Sequence, residues 1–416
     1  MRTNFSRLFS LFILIGFLTL AQPIPYKKGI FAECHPVPDS GKIFIDLSYR
    51  IKYSSLIYLK DSRSYFAKFA LSVERSDTNG NFIDRNYFVR NLKYSSIDKA
   101  NSDDFIQGIV KLNYSGKKER VVFSVVDLNA DREIKRFHFI IDSINANIIA
   151  GESFTGKFVT ELTCTLANYD GVIPFSSLDY DLVLLSSYPP DSVSYLKLNN
   201  ADSTYTLLVS SVIRGNIIVD SADNEITLSI KPDSLSKYYI YCFRQINNKI
   251  FPGYYSASFV ADDTTKTISL PPICQVWLDK PRSLEKPDYA YRIMNRIDTS
   301  LQSSPYYMQN KKDFIFELLQ FWKKYQTDSG HTFNDHTKEF FKRVDYANEK
   351  FNSIKGSDGA ETDRGEMYIR LGAPDTTERI TTRSGKIGEV WIYKRINRNF
   401  VFIDVSGNGN FELSDK

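Results

Sequence analysis

The sequence predicts a multidomain, mainly β protein: two β-sandwich domains followed by a C-terminal α+β domain of helices and a small antiparallel sheet. Three observations carry this. At 416 residues the chain exceeds what one core serves. Short runs alternating apolar and polar residues fill positions 42–278, and aromatics, mostly Tyr and Phe, reach 14%, a composition that suits strands. Helical periodicity begins only after the two prolines of LDKPRSLEKPD.

The elements follow in order. Arg2 and Arg7 form a positive n-region, and LFSLFILIGFLTLA, Leu8 to Ala21, is an apolar stretch too short to span a bilayer. Thr19 and Ala21 are small enough for cleavage before Gln22, so residues 1–21 read as a signal peptide and the mature chain as exported, periplasmic or extracellular. Cys34 lies too far downstream for a lipid anchor, and no later stretch is long and apolar enough to cross a membrane. Residues 22–41, with Pro23, Pro25, Pro36 and Pro38, read as an irregular lead-in. In residues 42–147, KIFIDLSYRIKY and YFAKFALSVER alternate, and DTNGNF followed by NYFVRNL is an Asn-Gly hairpin signal. RVVFSVVDLN and KRFHFIID complete a first sandwich. Residues 148–278 restart the pattern through KFVTELTCTLANYD, YDLVLLSS, YTLLVSSVI, NEITLSIK, KYYIYCFRQI and YYSASFVA, which predicts a second sandwich.

Residues 279–416 form the α+β domain. KKDFIFELLQFWKKYQ places Ile315, Leu318, Leu319 and Trp322 on one helical face. HTKEFFKRVDYANEKFNSI, capped by Asn334 or Asp335, turns Phe340, Phe341, Val344, Ala347 and Phe351 inward, and Lys355-Gly356 ends it. In GAETDRGEMYIRLGAPD, Asp363 and Glu366 have capping-box spacing, Gly372 stands at a left-handed C-terminal cap, and Pro374 blocks continuation. Met367, Ile369 and Leu371 also alternate as a strand would; the punctuated ends favour the helix. EVWIYKR, NFVFIDVSG and NFELSD read as three closing strands.

The net charge is +4, and Lys and Arg are spread along the chain, so there is no nucleic-acid footprint. Cys34, Cys164, Cys242 and Cys274 fit no zinc motif. Export permits disulfides and allows three full pairings, while buried free thiols are the alternative.

Candidate chemistry is sparse. DVSGNGNFELSD puts Asp404, Ser406, Asn408, Gly409, Glu412 and Asp415 at positions 1, 3, 5, 6, 9 and 12 of a calcium loop. Flanking strands and the short Asp at the last position favour a Gly-Asn hairpin turn, with no cofactor. His331 and His336 are five residues apart, off one helical face, so with Asp335 they read as solvated polar residues at a helix start. His35 and His138 are isolated. DTNGNFID has its Gly misplaced for calcium, and S-x-x-K at Ser115–Lys118 and Ser234–Lys237 reads as chance. G-x-S-x-G, H-E-x-x-H, phosphate-cradling loops and dinucleotide fingerprints do not occur. Asp363, Arg364, Asp375 and Trp391 are the candidate binding residues. Arg364 could donate in bidentate fashion to a glycan, peptide or anion, whereas caps, ion pairs and turns explain the same residues without a ligand.

The C-terminal region resembles the GWxTD domain family of exported bacterial proteins. The resemblance rests on Phe321-Trp322, Arg343 to Phe351, and Gly359, Thr362, Asp363, Arg364 and Gly365. Gly372, Pro374, Asp375, Glu389-Val390-Trp391, Tyr393 and the closing FVFIDVSGNGNFEL add to it. YRIKYSSLIYLKD and VVDLNADREIKRF resemble the β region that often precedes the domain. The motif Trp is Ala360 here. If that Trp makes the family's binding surface, this copy has lost it; if it packs, Trp322 and Trp391 suffice. The family implies an exported setting and no defined reaction. The short helix, LGAPD turn and W-x-Y strand also look like small two-layer modules of outer-membrane lipoproteins, a fold analogy only. The expected function is a non-enzymatic cell-envelope scaffold or binding protein that docks an envelope protein or glycan through its last domain. The alternatives are a calcium-stabilised glycan-binding module and a polysaccharide hydrolase using Asp363 and Asp375.

Overall fold

Alternation becomes sheet throughout the N-terminal two thirds. The computed structural model describes residues 29–39, 42–100, 102, 104–142, 152–167, 172–190, 194–262, 266–297, 314–325, 331–352 and 358–414. It is 53% strand and 19% helix, with the longer helices gathered near the C-terminus, so the chain is mainly β. The expected signal peptide and the helix stop at Lys355-Gly356 lie outside the described residues.

The first unit runs β1 (Ile30–Asp39), β2 (Lys42–Lys52), β3 (Leu59–Asp61), β4 (Ser64–Asp77), β5 (Phe82–Tyr94), β6 (Phe105–Asn113), β7 (Glu119–Asp127) and β8 (Arg132–Ile141). One sheet has the order β1-β2-β6, the other β3-β4-β7-β8, with β5 paired to β4. Ile45, Leu47 and Tyr49 of β2 meet Phe69, Leu71 and Val73 of β4 and Phe123 of β7 in one core. At the hairpin, Asp77 Oδ1 accepts from the Asn79 and Asn81 N–H groups at 2.8 Å, and Gly80 takes φ +86°. The irregular lead-in needs correction. Residues 30–39 form β1, a full antiparallel partner of β2. As a sheet-edge strand it tolerates Pro36 and Pro38, whose shared parity puts both missing N–H groups on the open side.

The second unit comprises β9 (Glu152–Phe158), β10 (Thr163–Leu166), β11 (Val172–Pro174), β12 (Asp181–Ser186), β13 (Tyr195–Asn199), β14 (Thr204–Leu208), β15 (Ser211–Ala222), β16 (Glu225–Pro232), β17 (Tyr239–Phe243), α1 (Ile246–Lys249), β18 (Gly253–Asp262) and β19 (Lys266–Val276). A five-stranded sheet, β11-β19-β18-β13-β14, packs on a layer that closes on itself as a barrel, β10-β16-β15-β17-β12-β9. Closure runs through β9, where Gly156 opposes both Leu166 and Asp181. A Cβ there would collide with Cys164 Sγ and the Thr165 carbonyl.

The third unit holds α2 (Pro287–Ile297), α3 (Phe314–Trp322), α4 (Asp335–Lys350), α5 (Asp363–Leu371) and the antiparallel sheet β20 (Thr376–Thr381), β21 (Ile387–Tyr393), β22 (Arg398–Asp404), β23 (Phe411–Leu413). Asn334 caps α4, its side chain accepting from Thr337 N–H at 3.0 Å. Leu318, Leu319, Phe341, Val344 and Ala347 are buried as the periodicity requires.

The joints between units differ in chemistry. Phe175 and Trp277 of the second unit form an edge-to-face triad with Phe333 of the third, at 5.0–5.9 Å between rings. The first joint is polar. The even-numbered, polar face of β2 is covered by the barrel: Asp46 and Arg50 are each 2% exposed. Arg50 Nη2 donates to Leu166 O at 2.5 Å, and Asn224 Oδ1 accepts from Gln107 N–H at 2.9 Å. All four cysteines are free, and burial pushes each thiol up.

Among the described residues, both Asp46 carboxylate oxygens lack a hydrogen-bond partner. Burial raises the group from 3.8 to about 6, against the pull of Lys111 and His35 and with the push of Asp39 and Asp220. The folded state therefore holds this proton more tightly than the unfolded chain does. Stability is greatest with Asp46 protonated and falls as pH rises from about 4 to about 6. Asp46→Asn is expected to flatten that decline and to stabilise the protein at pH 7.5, by up to roughly 3 kcal/mol. Melting curves of both proteins across that pH range check this.

Candidate functional site

Gly359 to Gly365 is the conspicuous stretch, and its residues are engaged inside the domain. The 3-10 turn Gly359–Glu361 lies so close to α4 that a Cβ on Gly359 would strike the Ala347 carbonyl. A Cβ on Gly365 would strike the Gly359 carbonyl. Ala360 is fully buried in the third core. Its N–H donates to Asn348 Oδ1 at 2.8 Å. Position 360 is therefore a packing position, beside an aromatic cluster of Phe351, Tyr368, Trp391 and Phe402.

The expected capping box is shifted by one residue. Thr362 is the cap of α5: its Oγ1 accepts from Gly365 N–H at 3.1 Å and donates to Gly359 O at 2.8 Å. Asp363 instead accepts from the Leu413 N–H at 2.7 Å, fastening the last strand. Thr and Asp both cap helices, so local spacing alone did not separate neighbouring residues. Gly372 stands at the C-cap with φ +82° but ψ −162°, an extended glycine conformation in place of the expected left-handed one, and its carbonyl accepts from Tyr393 Oη at 2.8 Å.

Arg364 is 8% exposed. Nη1 donates to Glu389 Oε2 at 3.3 Å, Nη2 to Gly409 O at 3.2 Å, and the guanidinium stacks on Phe411 at 3.9 Å. Burial pulls its ionisation below the usual arginine range, and Glu389 opposes that shift. Asp375 is exposed and accepts from Lys394 N–H at 2.7 Å. Trp391, a candidate for a binding surface, is 3% exposed and belongs to the core. Asp363 opens α5 and binds the Leu413 N–H of β23, whereas Asp375 lies four residues past the helix and binds the Lys394 N–H beyond β21, so each carboxylate serves a different part of the sheet.

The closing loop forms a hairpin turn between β22 and β23. Asp404 Oδ1 accepts from Asn408 N–H at 3.2 Å and Oδ2 from Gly409 N–H at 3.0 Å, while Gly407 and Gly409 supply positive φ. Ser406 and Glu412 are exposed, and Asp415 lies outside the described residues. Among the described residues no three His, Cys, Asp or Glu side chains converge as a metal site, His331, Asp335 and His336 included.

What sequence reasoning missed is α2 and the groove it makes with α4. Pro287 at the first helical position, with Ala290, Ile293 and Met294 buried at helical spacing, was the available signal. The groove, about 1440 Å³, lies between the turn at Arg282–Glu285, the start of α2 and the middle of α4. Asp345 ties its walls by accepting from the Arg282 and Ser283 N–H groups at 2.7 and 2.9 Å. Tyr289 Oη donates to Asp358 Oδ1 at 2.9 Å and accepts from Asn348 Nδ2 at 2.6 Å. Burial pushes that phenol up. Arg292 pairs with Glu361 at 2.7 Å, linking α2 to the motif turn. Lys286, Asp288, Lys342, Tyr346 and Glu349 remain exposed along the lips.

These features define a small α+β module in which a glycine-rich turn locks a helix pair onto a four-stranded antiparallel sheet. Residues 294–414 match the GWxTD domain family, so the C-terminal third carries a GWxTD domain. No curated protein matches the chain. Among solved structures, the collagen binding domain of Erysipelothrix rhusiopathiae surface protein RspB is similar at 9% identity, covering 60% of this chain and 94% of that one. Its TM-score is 0.15, and the likeness carries no argument about fold or function.

Thr362→Ala is expected to cost about 1–2 kcal/mol in denaturant unfolding, through the lost cap. Ala360→Trp is expected to cost at least about 2 kcal/mol by overpacking; an unchanged midpoint would show that the core yields there. Calcium is expected to leave the melting temperature unchanged. A rise of several degrees that a chelator reverses would show that the Asp404 loop holds the ion.

Proposed function

We propose that this chain is a non-enzymatic, exported cell-envelope scaffold or binding protein whose GWxTD domain docks a protein partner in the α2–α4 groove. The observation that carries the reading is the groove itself. At about 1440 Å³ it exceeds the roughly 300–1,000 Å³ of small-molecule pockets, and it is open, as a macromolecular segment needs. Its lips alternate in charge, Lys286 with Asp288 and Lys342 with Glu349, around exposed Tyr346. That pattern suits a partner segment carrying both charges around an apolar anchor. The motif residues support the reading indirectly, because their polar groups already serve the fold. Export is supported by the Arg2–Ala21 pattern alone.

The test is crosslinked affinity capture of the tagged full chain from its native envelope, with a Lys342→Glu/Glu349→Lys variant alongside. One near-stoichiometric protein, lost in the variant, is expected. Its retention by the variant, or recovery of glycan alone, would overturn the docking reading. The intact mass of the recovered chain is expected to begin at Gln22; a chain retaining Met1 would overturn cleaved export.

A further inference from the structure

The longest uncovered feature of the surface is β5. Among the described residues it pairs only with β4, along positions 82–94, which leaves its other edge open. A strand of 13 residues is long for an open edge. It is also apolar: Phe82 is 65% exposed, Tyr87 52%, Val89 44% and Phe88 40%. From Asp84 to Tyr94 its even-numbered residues share the face of the first core, and a bulge before Asp84 turns Phe82 to the other face, opposite Ser76. Leu92 and Tyr94 pack in the core, yet Phe88 of the same face does not. The core face thus continues past the cover that the β1-β2-β6 sheet provides.

We propose that β5 is a homodimer interface, at which β5 of a second copy adds antiparallel to this edge with Tyr87 on the two-fold axis. The strand's own charges choose the occupant and the register. A two-fold axis perpendicular to a continuous sheet keeps each face, so a residue on the axis must oppose itself. With Tyr87 there, Asp84 falls opposite Arg90, both on the core face. Asp84 already binds Arg75, but its side chain is 42% exposed and has room for a second cation. Moving the axis to Val89 would set Arg85 against Lys93, and moving it to Asn86 would set Asp84 against Phe88. Opposite charges across a strand pair stabilise it and like charges oppose it, so the Tyr87 register is favoured. Pairing would join two four-strand paths into one continuous sheet and cover Phe88, removing an edge that otherwise invites aggregation.

The test uses the full mature chain. Sedimentation equilibrium over micromolar concentrations is expected to show a monomer–dimer equilibrium. Tyr87→Asp, which sets like charges on the axis, should weaken it by about tenfold or more while leaving the melting temperature unchanged. Under mild oxidation Tyr87→Cys should crosslink to itself, because opposed Cα atoms in an antiparallel pair lie about 4.5–5.5 Å apart, within disulfide range. Asn91→Cys should not, since its copy would stand roughly 27 Å away along the strand. The native thiols are buried or half-buried and will not compete. A monomer up to about 100 µM with no Tyr87→Cys crosslink overturns the proposal. So does a dimer that Tyr87→Asp leaves intact, which would place the contact on another surface, or an Asn91→Cys crosslink faster than that of Tyr87→Cys.

Discussion

The third unit depends on one close approach, the Gly359 backbone against the Ala347 carbonyl of α4. Only a residue without a Cβ fits, and the contact fixes where the 3-10 turn can sit. From that position the Ala360 N–H reaches Asn348, and Thr362 lies where it can begin α5. Helix α5 then points Arg364 at Glu389 and at the Gly409 carbonyl, and Asp363 at the Leu413 N–H. Three elements distant in sequence are thereby fastened to one turn. The buried charges are tolerable because each finds partners, although Arg364 Nε finds none among the described residues.

Much of this was legible where the signal is local. The Asn-Gly hairpin, the inward face of α4 and the Gly372 cap follow from spacing, because each is decided by residues within a few positions. What failed was decided by distant chain. Residues 30–39 read as irregular because prolines weaken a strand, but an edge position removes the penalty, and edges are not written locally. Barrel closure rests on one glycine meeting two strands. The polar residues of β2 alternate as a solvent face would, yet the barrel covers them. Alternation shows that two faces differ, not what lies beyond each.

The candidate site was legible only in part, for the same reason. Asp363, Arg364, Asp375 and Trp391 stand out in sequence because the domain's fold uses them. The groove is lined by ordinary charged and tyrosine residues of α2 and α4, whose only distinction is that they face each other. A recurrent motif that serves packing identifies a fold and leaves the ligand to surfaces outside it. For this domain the lips of the groove carry more information about a partner than the motif does.

The two joints suggest how the units behave together. The aromatic triad at the second joint is buried, and Thr332 Oγ1 donates across that joint to the Asn247 carbonyl, so the second and third units should act as one body. The first joint buries an unpartnered carboxylate among Asp39, Asp220, His35 and Lys111, and its free energy changes with protonation. Opening the first joint rehydrates the Asp46 charge, whereas opening the second exposes mainly aromatic surface. Relative motion should therefore concentrate between the first unit and the barrel, with the groove carried on the stiffer end and the open edge of β5 on the more mobile one. For the proposed scaffold, that arrangement would let the proposed self-association and docking proceed without either distorting the other.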